Sequence, residues 1–231
     1  LVKRDLLLID TQVSLLLGLA FALFYTTMGI PIGRLADKKS RRTIIAVGIS
    51  FWCLMTAACG FAKNYMQLFL ARVGVGVGEA TLSPSSLSMI GDYFPKDKRG
   101  RALGLFNIGV SVGSGIAFIV GGQIIAYVAT RDNIILPIIG EIFPWQALFI
   151  MVGLPGLLVA ALMMTVKEPE RSEKIVLKSD DGDATDQVSI KETVNFILER
   201  KSAYGWLFLS MACSVLIGYA FLSWMPTMYD R

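Results

Sequence analysis

Long apolar runs are the feature that most constrains what this chain can fold into. A helix that crosses a membrane needs about 20 mostly apolar residues. Six stretches of the sequence meet that requirement: Val13–Ile32, Thr43–Ala62, Tyr65–Asp92, Leu103–Tyr127, Trp145–Val166 and Tyr204–Met225. Soluble domains seldom contain so many runs of this length, so we predict an all-α, polytopic membrane bundle of about six transmembrane helices.

The composition agrees with a membrane location and excludes several kinds of chemistry. Charged residues make up only 17% of the chain, against about 25% in ordinary soluble domains. The chain contains no histidine, and its three cysteines lie within apolar runs without the spacing of zinc ligands. We predict no metal site and no cofactor. We also predict that the protein is not an enzyme, because the sequence contains no nucleophile–base arrangement and no phosphate-binding loop.

The distribution of lysine and arginine predicts the orientation in the membrane. Most of these residues lie in the connections that follow Ile32, Asp92 and Val166, and the positive-inside rule makes these loops cytoplasmic. We therefore expect an integral, multi-pass protein of the bacterial inner membrane that contacts membrane lipids and binds no nucleic acid. Neither end of the sequence resembles a natural terminus, so we expect a piece of a longer chain.

A long polar stretch divides the chain into three parts. We predict a bundle over residues 1–166, a cytoplasmic linker over 167–203 and one further spanning helix within 204–231. Within the linker, Lys178–Asp186 has the composition of a flexible segment. The apolar spacing of Ile190–Leu198 predicts a short amphipathic helix on the membrane surface.

Two charged residues lie inside the third apolar run. Arg72 and Glu79 are seven residues apart, or two helical turns, and so share one helix face. Each charge at the centre of a membrane helix costs roughly 2.5–3.5 kcal/mol on insertion scales, which favours a functional role over a purely structural ion pair. We predict either a binding site for a substrate headgroup or a proton-carrying carboxylate, with Gly76 between the two charges leaving room for a ligand.

Other polar and aromatic residues of the apolar runs are candidates for the same site. Ser83 follows Glu79 by four residues on the same helix face, and Pro84 is expected to bend this helix. Asn107 is predicted either to line a cavity or to form a hydrogen bond between helices. The aromatic candidates for the pocket are Tyr25 and Trp224.

A short basic loop carries the most specific motif. The run from Gly33 to Arg42 reads Gly-Arg-Leu-Ala-Asp-Lys-Lys-Ser-Arg-Arg, which resembles the cytoplasmic signature of the major facilitator superfamily. Ser40 stands where that signature has its second glycine. The resemblance implies a cytoplasmic gate, a charge cluster that closes the inner end of the carrier. It would consist of Gly33, Asp37, Arg41 and Asp92.

Further runs resemble the spinster branch of that superfamily, which transports sphingolipids or lysophospholipids. They include Gly76–Ala80, Ile90–Phe94, and Phe21–Tyr25 leading into Gly29–Gly33. The resemblance implies that the spans are helices two to seven of a twelve-helix carrier. Residues 1–166 would then form an incomplete N-terminal bundle, and residues 204–231 would hold the first helix of the C-terminal bundle.

The function that this resemblance implies is secondary active transport by alternating access. Arg72 and Glu79 would both bind substrate, with Arg72 pairing an anionic headgroup, and Glu79 would also carry a proton. We expect a proton-coupled symporter or antiporter, functioning as a monomer, that moves an amphipathic anionic or lysolipid-like solute. A carrier of small polar anions such as sugar phosphates or organic acids remains an alternative, because Arg72 suits either cargo. A non-transporting receptor or assembly subunit is the alternative from another class. It would require the Arg72 and Glu79 pair to be structural.

Overall fold

The computed structural model describes residues 2–129, 134–136, 140–171, 177–178, 184–185 and 190–229. The chain divides into two compact units, Leu1–Ser172 and Glu173–Arg231. Helices dominate both units, which confirms the predicted helical membrane bundle.

The first unit contains nine α-helices among its described residues. They are α1 (Val2–Asp5), α2 (Asp10–Ser14), α3 (Ala20–Lys38), α4 (Arg41–Cys59), α5 (Tyr65–Glu79), α6 (Leu82–Tyr93), α7 (Lys96–Ala129), α8 (Pro144–Gly153) and α9 (Gly156–Met163). A π-helical turn, Leu15–Leu19, joins α2 to α3. An antiparallel hairpin of β1 (Ile134–Leu136) and β2 (Gly140–Ile142) precedes α8.

The second unit contains a two-residue hairpin and two helices in its described part. The hairpin pairs β3 (Leu177–Lys178) with β4 (Ala184–Thr185). Helix α10 (Ile190–Glu199) covers the segment expected to be an amphipathic helix, and α11 (Lys201–Tyr229) covers the last apolar run. Most of the segment Lys178–Asp186, expected to be flexible, lies outside the described residues.

Four helical segments of the described chain are long and apolar enough to cross a membrane. They are Arg41–Cys59, Lys96–Tyr127, Pro144–Met163 and Lys201–Gly218. The other two predicted spans are divided into consecutive helical pieces, α2 to α3 and α5 to α6, and the segment Pro144–Met163 is likewise divided into α8 and α9. The protein is therefore an integral, multi-pass membrane protein, and its interrupted spans carry most of the candidate site residues.

The division between α5 and α6 lies one turn before a proline. Pro84 has no N–H to donate to the carbonyl of Ala80, and its ring crowds that carbonyl. The backbone N–H of Thr81 instead donates to the carbonyl of Gly78 over 3.2 Å, and the Thr81 hydroxyl donates to the same carbonyl over 2.8 Å. The bend expected at Pro84 is therefore accompanied by a short interruption of the α-helix at Ala80–Thr81, where the backbone keeps right-handed helical dihedrals.

Helix α4 lies at the centre of the first unit and contacts α5, α6, α8 and α9. Glycines permit these close approaches, since a Cβ at Gly78 would lie 2.7 Å from Cβ of Trp52 and 2.8 Å from its backbone nitrogen. A Cβ at Gly153 would lie 2.8 Å from the carbonyl oxygen of Cys53. Small residues let helix backbones approach in this way in lipid, where no hydrophobic force draws helices together.

Candidate functional site

Arg72 lies in an otherwise apolar cavity of the first unit. The cavity has a volume of about 100 Å³ and is lined by Arg72 together with Val2, Leu8, Val13, Leu16, Leu68 and Phe149. Within the described part of the chain, neither Arg72 nor Glu79 forms a salt bridge or a side-chain hydrogen bond. The two residues share one face of α5, and Glu79 is its last residue.

The prediction that Gly76 leaves room for a ligand is wrong. Gly76 is buried, and a Cβ at this position would lie 2.7 Å from the carbonyl oxygen of Phe21 on α3. Gly74 and Gly78 occupy another face of α5, where they pack against Met55 and Trp52 of α4. The alternating glycines of α5 therefore let it approach two helices, and their function is packing.

Two of the predicted site residues meet at the break between α5 and α6. The hydroxyl oxygens of Tyr25 on α3 and Ser83 on α6 lie 3.2 Å apart and share a hydrogen bond. The ring of Phe21 stacks on that of Tyr25, with 5.5 Å between the ring centroids. Tyr25 therefore takes part in both contacts, a hydrogen bond to Ser83 and a ring stack with Phe21. Ser83 lies four residues after Glu79 in the sequence.

Two other candidates do not join this group. The Asn107 side chain is exposed and donates a 2.9 Å hydrogen bond to the carbonyl of Leu103 in its own helix. It forms no hydrogen bond between helices in the described part of the chain. The neighbouring Gly109 and Gly113 also have open space where a Cβ would point. Trp224 lies on α11 in the second unit, and its side chain is outside the described residues.

Arg41 and Asp92, two members of the predicted gate, form an ion pair. Nη1 of Arg41 donates to Oδ2 of Asp92 and, over 2.9 Å, to the hydroxyl of Ser88. The Arg41 side chain is 1% exposed and that of Asp92 is 14% exposed. The bond links the first turn of α4 to the last turn of α6.

The remaining gate candidates lie beside this ion pair without joining it. Asp37 is exposed, and it has no hydrogen bond or ion pair among the described residues. Gly33 faces α6, where an added Cβ would lie 3.8 Å from Cβ of Pro84. That distance is an ordinary van der Waals contact, so the α3–α6 approach would also admit alanine.

Sequence analysis missed Glu168, the second carboxylate of this network. Its side chain accepts hydrogen bonds from Nε of Arg41 over 2.9 Å, from the backbone N–H of Arg42 over 2.8 Å and from the Ser40 hydroxyl over 2.9 Å. An acid two residues after an apolar run and directly before a proline was the available signal, but its partners lie more than 120 positions earlier in the chain.

The environment of Glu168 favours its charged form. Burial raises the pKa of its carboxyl, but hydrogen bonds from the Arg42 backbone, the Arg41 guanidinium and the Ser40 hydroxyl together hold that pKa below its ordinary value. The first turn of α4 adds the partial positive charge of a helix N-terminus. The described residues contain no group of three or more Cys, Asp or Glu side chains placed to hold a metal ion.

Comparison with known sequences confirms the resemblance. The model of the Major Facilitator Superfamily matches residues 1–231. The chain is 31% identical over 159 residues to a probable L-galactonate transporter of Escherichia coli strain K12, covering 69% of this chain and 32% of that protein. It is 28% identical over 227 residues to spinster homolog 3 of Danio rerio, covering 96% of this chain and 42% of that protein.

A solved structure agrees with these sequence matches. The crystal structure of a bacterial homolog to the human lysosomal transporter Spinster, inward-facing and unoccupied, is 34% identical with a TM-score of 0.63, covering 74% of this chain and 38% of that one. The chain spans 32% and 42% of the length of these two curated relatives. It belongs to the Major Facilitator Superfamily of membrane transporters and is spinster-like in sequence and fold.

Proposed function

We propose that the full-length protein is a secondary active transporter that works by alternating access and moves an amphipathic, anionic or lysolipid-like solute. The observation that carries this proposal is Arg72, which lines an apolar cavity and forms no salt bridge among the described residues. A cation with apolar walls suits a molecule that joins an anionic headgroup to a hydrocarbon chain. The cavity of about 100 Å³ would hold one end of such a solute, since complete ligand sites measure about 300–1,000 Å³.

Glu79 is the proposed proton carrier. It lies two turns from Arg72 on the same face of α5, and no described residue forms a salt bridge or a side-chain hydrogen bond with it. An unpaired carboxyl in the membrane can exist as the neutral acid or as the charged base, and this exchange would couple the proton gradient to transport. The Tyr25–Ser83 hydroxyl pair beyond Glu79 would provide polar contacts along the same path.

The cytoplasmic side of the carrier would be closed by the gate. The Arg41–Asp92 ion pair supports this role for two of its members. We propose that Gly33 and Asp37 act beside them, with Asp37 exposed and available to a partner in another state. The proposed orientation places the loops after Ile32, Asp92 and Val166 in the cytoplasm, because these loops carry most of the basic residues.

Transport by the full-length protein in proteoliposomes tests the proposal. Uptake of a lysophosphatidic acid would be driven by an imposed pH gradient. We expect the Arg72→Ala variant to lose most of this uptake. Lys63→Ala is the matched control, because Lys63 lies just before α5 and is exposed. Unchanged solute affinity in Arg72→Ala would remove Arg72 from the site, and failure to move any solute would favour a receptor or assembly subunit.

The Glu79→Gln variant tests proton coupling separately. Glutamine keeps the size of the side chain but cannot exchange a proton, so uptake driven by the pH gradient should disappear. Exchange of solute across the membrane without a gradient should persist, which shows that the fold is intact. Normal gradient-driven transport by this variant would exclude Glu79 as the proton carrier.

A carrier of small organic acids is the second candidate function. It is favoured by the 31% identity to a probable L-galactonate transporter, and Arg72 could bind a sugar acid as well as a lipid headgroup. Competition distinguishes the two candidates: excess lysophosphatidic acid inhibits a lysolipid carrier, whereas excess L-galactonate inhibits an organic-acid carrier.

A further inference from the structure

The segment that follows α9 is attached to the start of α4 along most of its length. We call residues 166–171 the clasp segment. The carbonyl of Val166 accepts a 3.3 Å hydrogen bond from Nη1 of Arg42, and the carbonyl of Pro169 accepts a 3.0 Å bond from Nη2 of Arg41. The carbonyl of Lys167 accepts from the Tyr93 hydroxyl at the end of α6.

Two oppositely charged residues of the clasp segment bind opposite helix ends. Helix α3 ends at Lys38 and α4 begins at Arg41, so the turn between them exposes unpaired carbonyls on one side and unpaired N–H groups on the other. Glu168 accepts from the backbone N–H groups of Arg41, over 3.2 Å, and of Arg42. The anion therefore lies at the positive end of α4.

Arg171 makes the complementary contact. Its Nη2 donates hydrogen bonds to the carbonyl oxygens of Ala36, over 2.7 Å, and Lys39, over 2.9 Å. A cation at the last carbonyls of a helix is stabilised by the helix dipole. The two charges of the clasp segment thus match the two helix ends that meet at the α3–α4 turn.

The same contacts orient the guanidinium of Arg41. Its Nε is bound by Glu168, its Nη2 by the carbonyl of Pro169, and its Nη1 by Ser88 and Asp92. Because a guanidinium is planar, two of its nitrogens held by the clasp segment fix the direction in which the third points. Glu168 and the carbonyl of Pro169 therefore hold the guanidinium in the orientation in which Nη1 points at Asp92.

We propose that Glu168 and Arg171 are positioning residues that fasten the clasp segment to the α3–α4 turn and so hold Arg41 against Asp92. Pulling the clasp segment away would release Arg41 from two of its partners at once. The coupling to transport rests on the proposed gate. Attachment of the clasp segment to the turn does not.

Distance measurements on the full-length protein test the attachment. Spin labels at Lys38→Cys and Lys167→Cys, both exposed positions, would report the separation of the turn and the clasp segment after other accessible cysteines are replaced. We expect one narrow distance distribution, and we expect Glu168→Gln and Arg171→Gln to broaden it. Glu170→Gln is the matched control, because Glu170 is an exposed acid of the same segment with no side-chain partner among the described residues.

The possible outcomes of this measurement are distinct. Broadening by both variants and not by the control supports the attachment. An unchanged distribution in both variants, or equal broadening by Glu170→Gln, overturns it. If Glu168→Gln does not purify as a folded protein, Arg171→Gln decides alone, because Arg171 contacts neither Arg41 nor Asp92 in the described structure.

A second readout separates the clasp from the gate. A cysteine at Ser83 would be alkylated with a membrane-impermeant maleimide from the face that carries the α3–α4 turn, well below the unfolding temperature. We expect faster alkylation in Asp92→Asn, Glu168→Gln and Arg171→Gln. Faster alkylation in Asp92→Asn alone overturns the clasp and leaves the gate. If Asp92→Asn leaves the alkylation rate unchanged while Glu168→Gln and Arg171→Gln broaden the spin-label distance distribution, the gate and the proposed coupling are overturned. The attachment of the clasp segment would still stand.

Discussion

Nε of Arg41 donates a 2.9 Å hydrogen bond to Oε1 of Glu168, which lies 127 residues later in the chain. The bond joins the first residue of α4 to the segment that leaves α9. A second carboxylate, that of Asp92, binds the same guanidinium. One buried cation thus connects the start of α4, the end of α6 and the segment after α9. Its removal should destabilise all three parts.

Arg41→Ala should be strongly destabilising. Removing one partner of a buried ion pair costs about 3–5 kcal/mol, because the remaining charges stay partly buried without compensation. Arg41→Lys should lie between this variant and the native protein, since an ammonium group cannot reproduce the planar set of contacts. Thermal unfolding in detergent measures the effect, and Lys38→Ala at an exposed position is the control. If Arg41→Ala lowered the unfolding temperature by no more than the control does, the result would contradict a stabilising role for this network.

Protonation of Glu168 should weaken the first unit in acid. The pKa of this carboxyl is lowered in the folded protein, so its stabilising contribution is complete above the ordinary glutamate pKa of about 4.3. It disappears as the pH falls through the lower pKa of the folded state. Other charged groups share this network, namely Arg41, Arg42 and Asp92. The contribution of Glu168 is therefore isolated by comparing the native protein with Glu168→Gln. That variant should have a flatter stability profile below about pH 4.3, whereas Glu170→Gln should follow the native profile.

Gly76→Ala should separate α3 from α5. The added methyl group would lie 2.7 Å from a backbone oxygen of Phe21, and overpacking of this kind costs about 1–3 kcal/mol. The gain in helix propensity from glycine to alanine, up to about 1 kcal/mol, should not offset it. Gly29→Ala in α3 is the control, because its Cβ would meet no atom within 4 Å. Unfolding in detergent should show a loss of stability only in Gly76→Ala. Equal stability of the two variants would refute the close approach of α5 to α3 at Gly76.

The Tyr25–Ser83 hydrogen bond should give a measurable but small coupling. Hydrogen bonds between helices in a membrane average about 0.6 kcal/mol in double-mutant cycles. We expect a cycle of Tyr25→Phe and Ser83→Ala to give a coupling free energy of about this size. Additive effects of the two substitutions would show that the hydroxyl groups do not interact.

The predictions made from sequence succeeded where a residue's own chemistry decides its environment. Six apolar runs predicted a helical membrane protein, and the Gly33–Arg42 motif predicted its family. The helix face shared by Arg72 and Glu79 follows from a spacing of seven residues. Gly76 shows the limit of this reasoning, because a missing side chain leaves space that either a ligand or another backbone could fill, and here the backbone of Phe21 fills it.

The sequence by itself thus determined that the chain spans a membrane, which loops are basic and which charges lie within an apolar helix. Hydrophobicity and local periodicity are properties of neighbouring residues, so they can be read along the chain. Only the tertiary structure decided that Glu168 binds Arg41, that Asp37 does not join them, and that Tyr25 meets Ser83. These pairings join residues 58 to 127 positions apart, and they depend on how the helices pack, which no local pattern specifies.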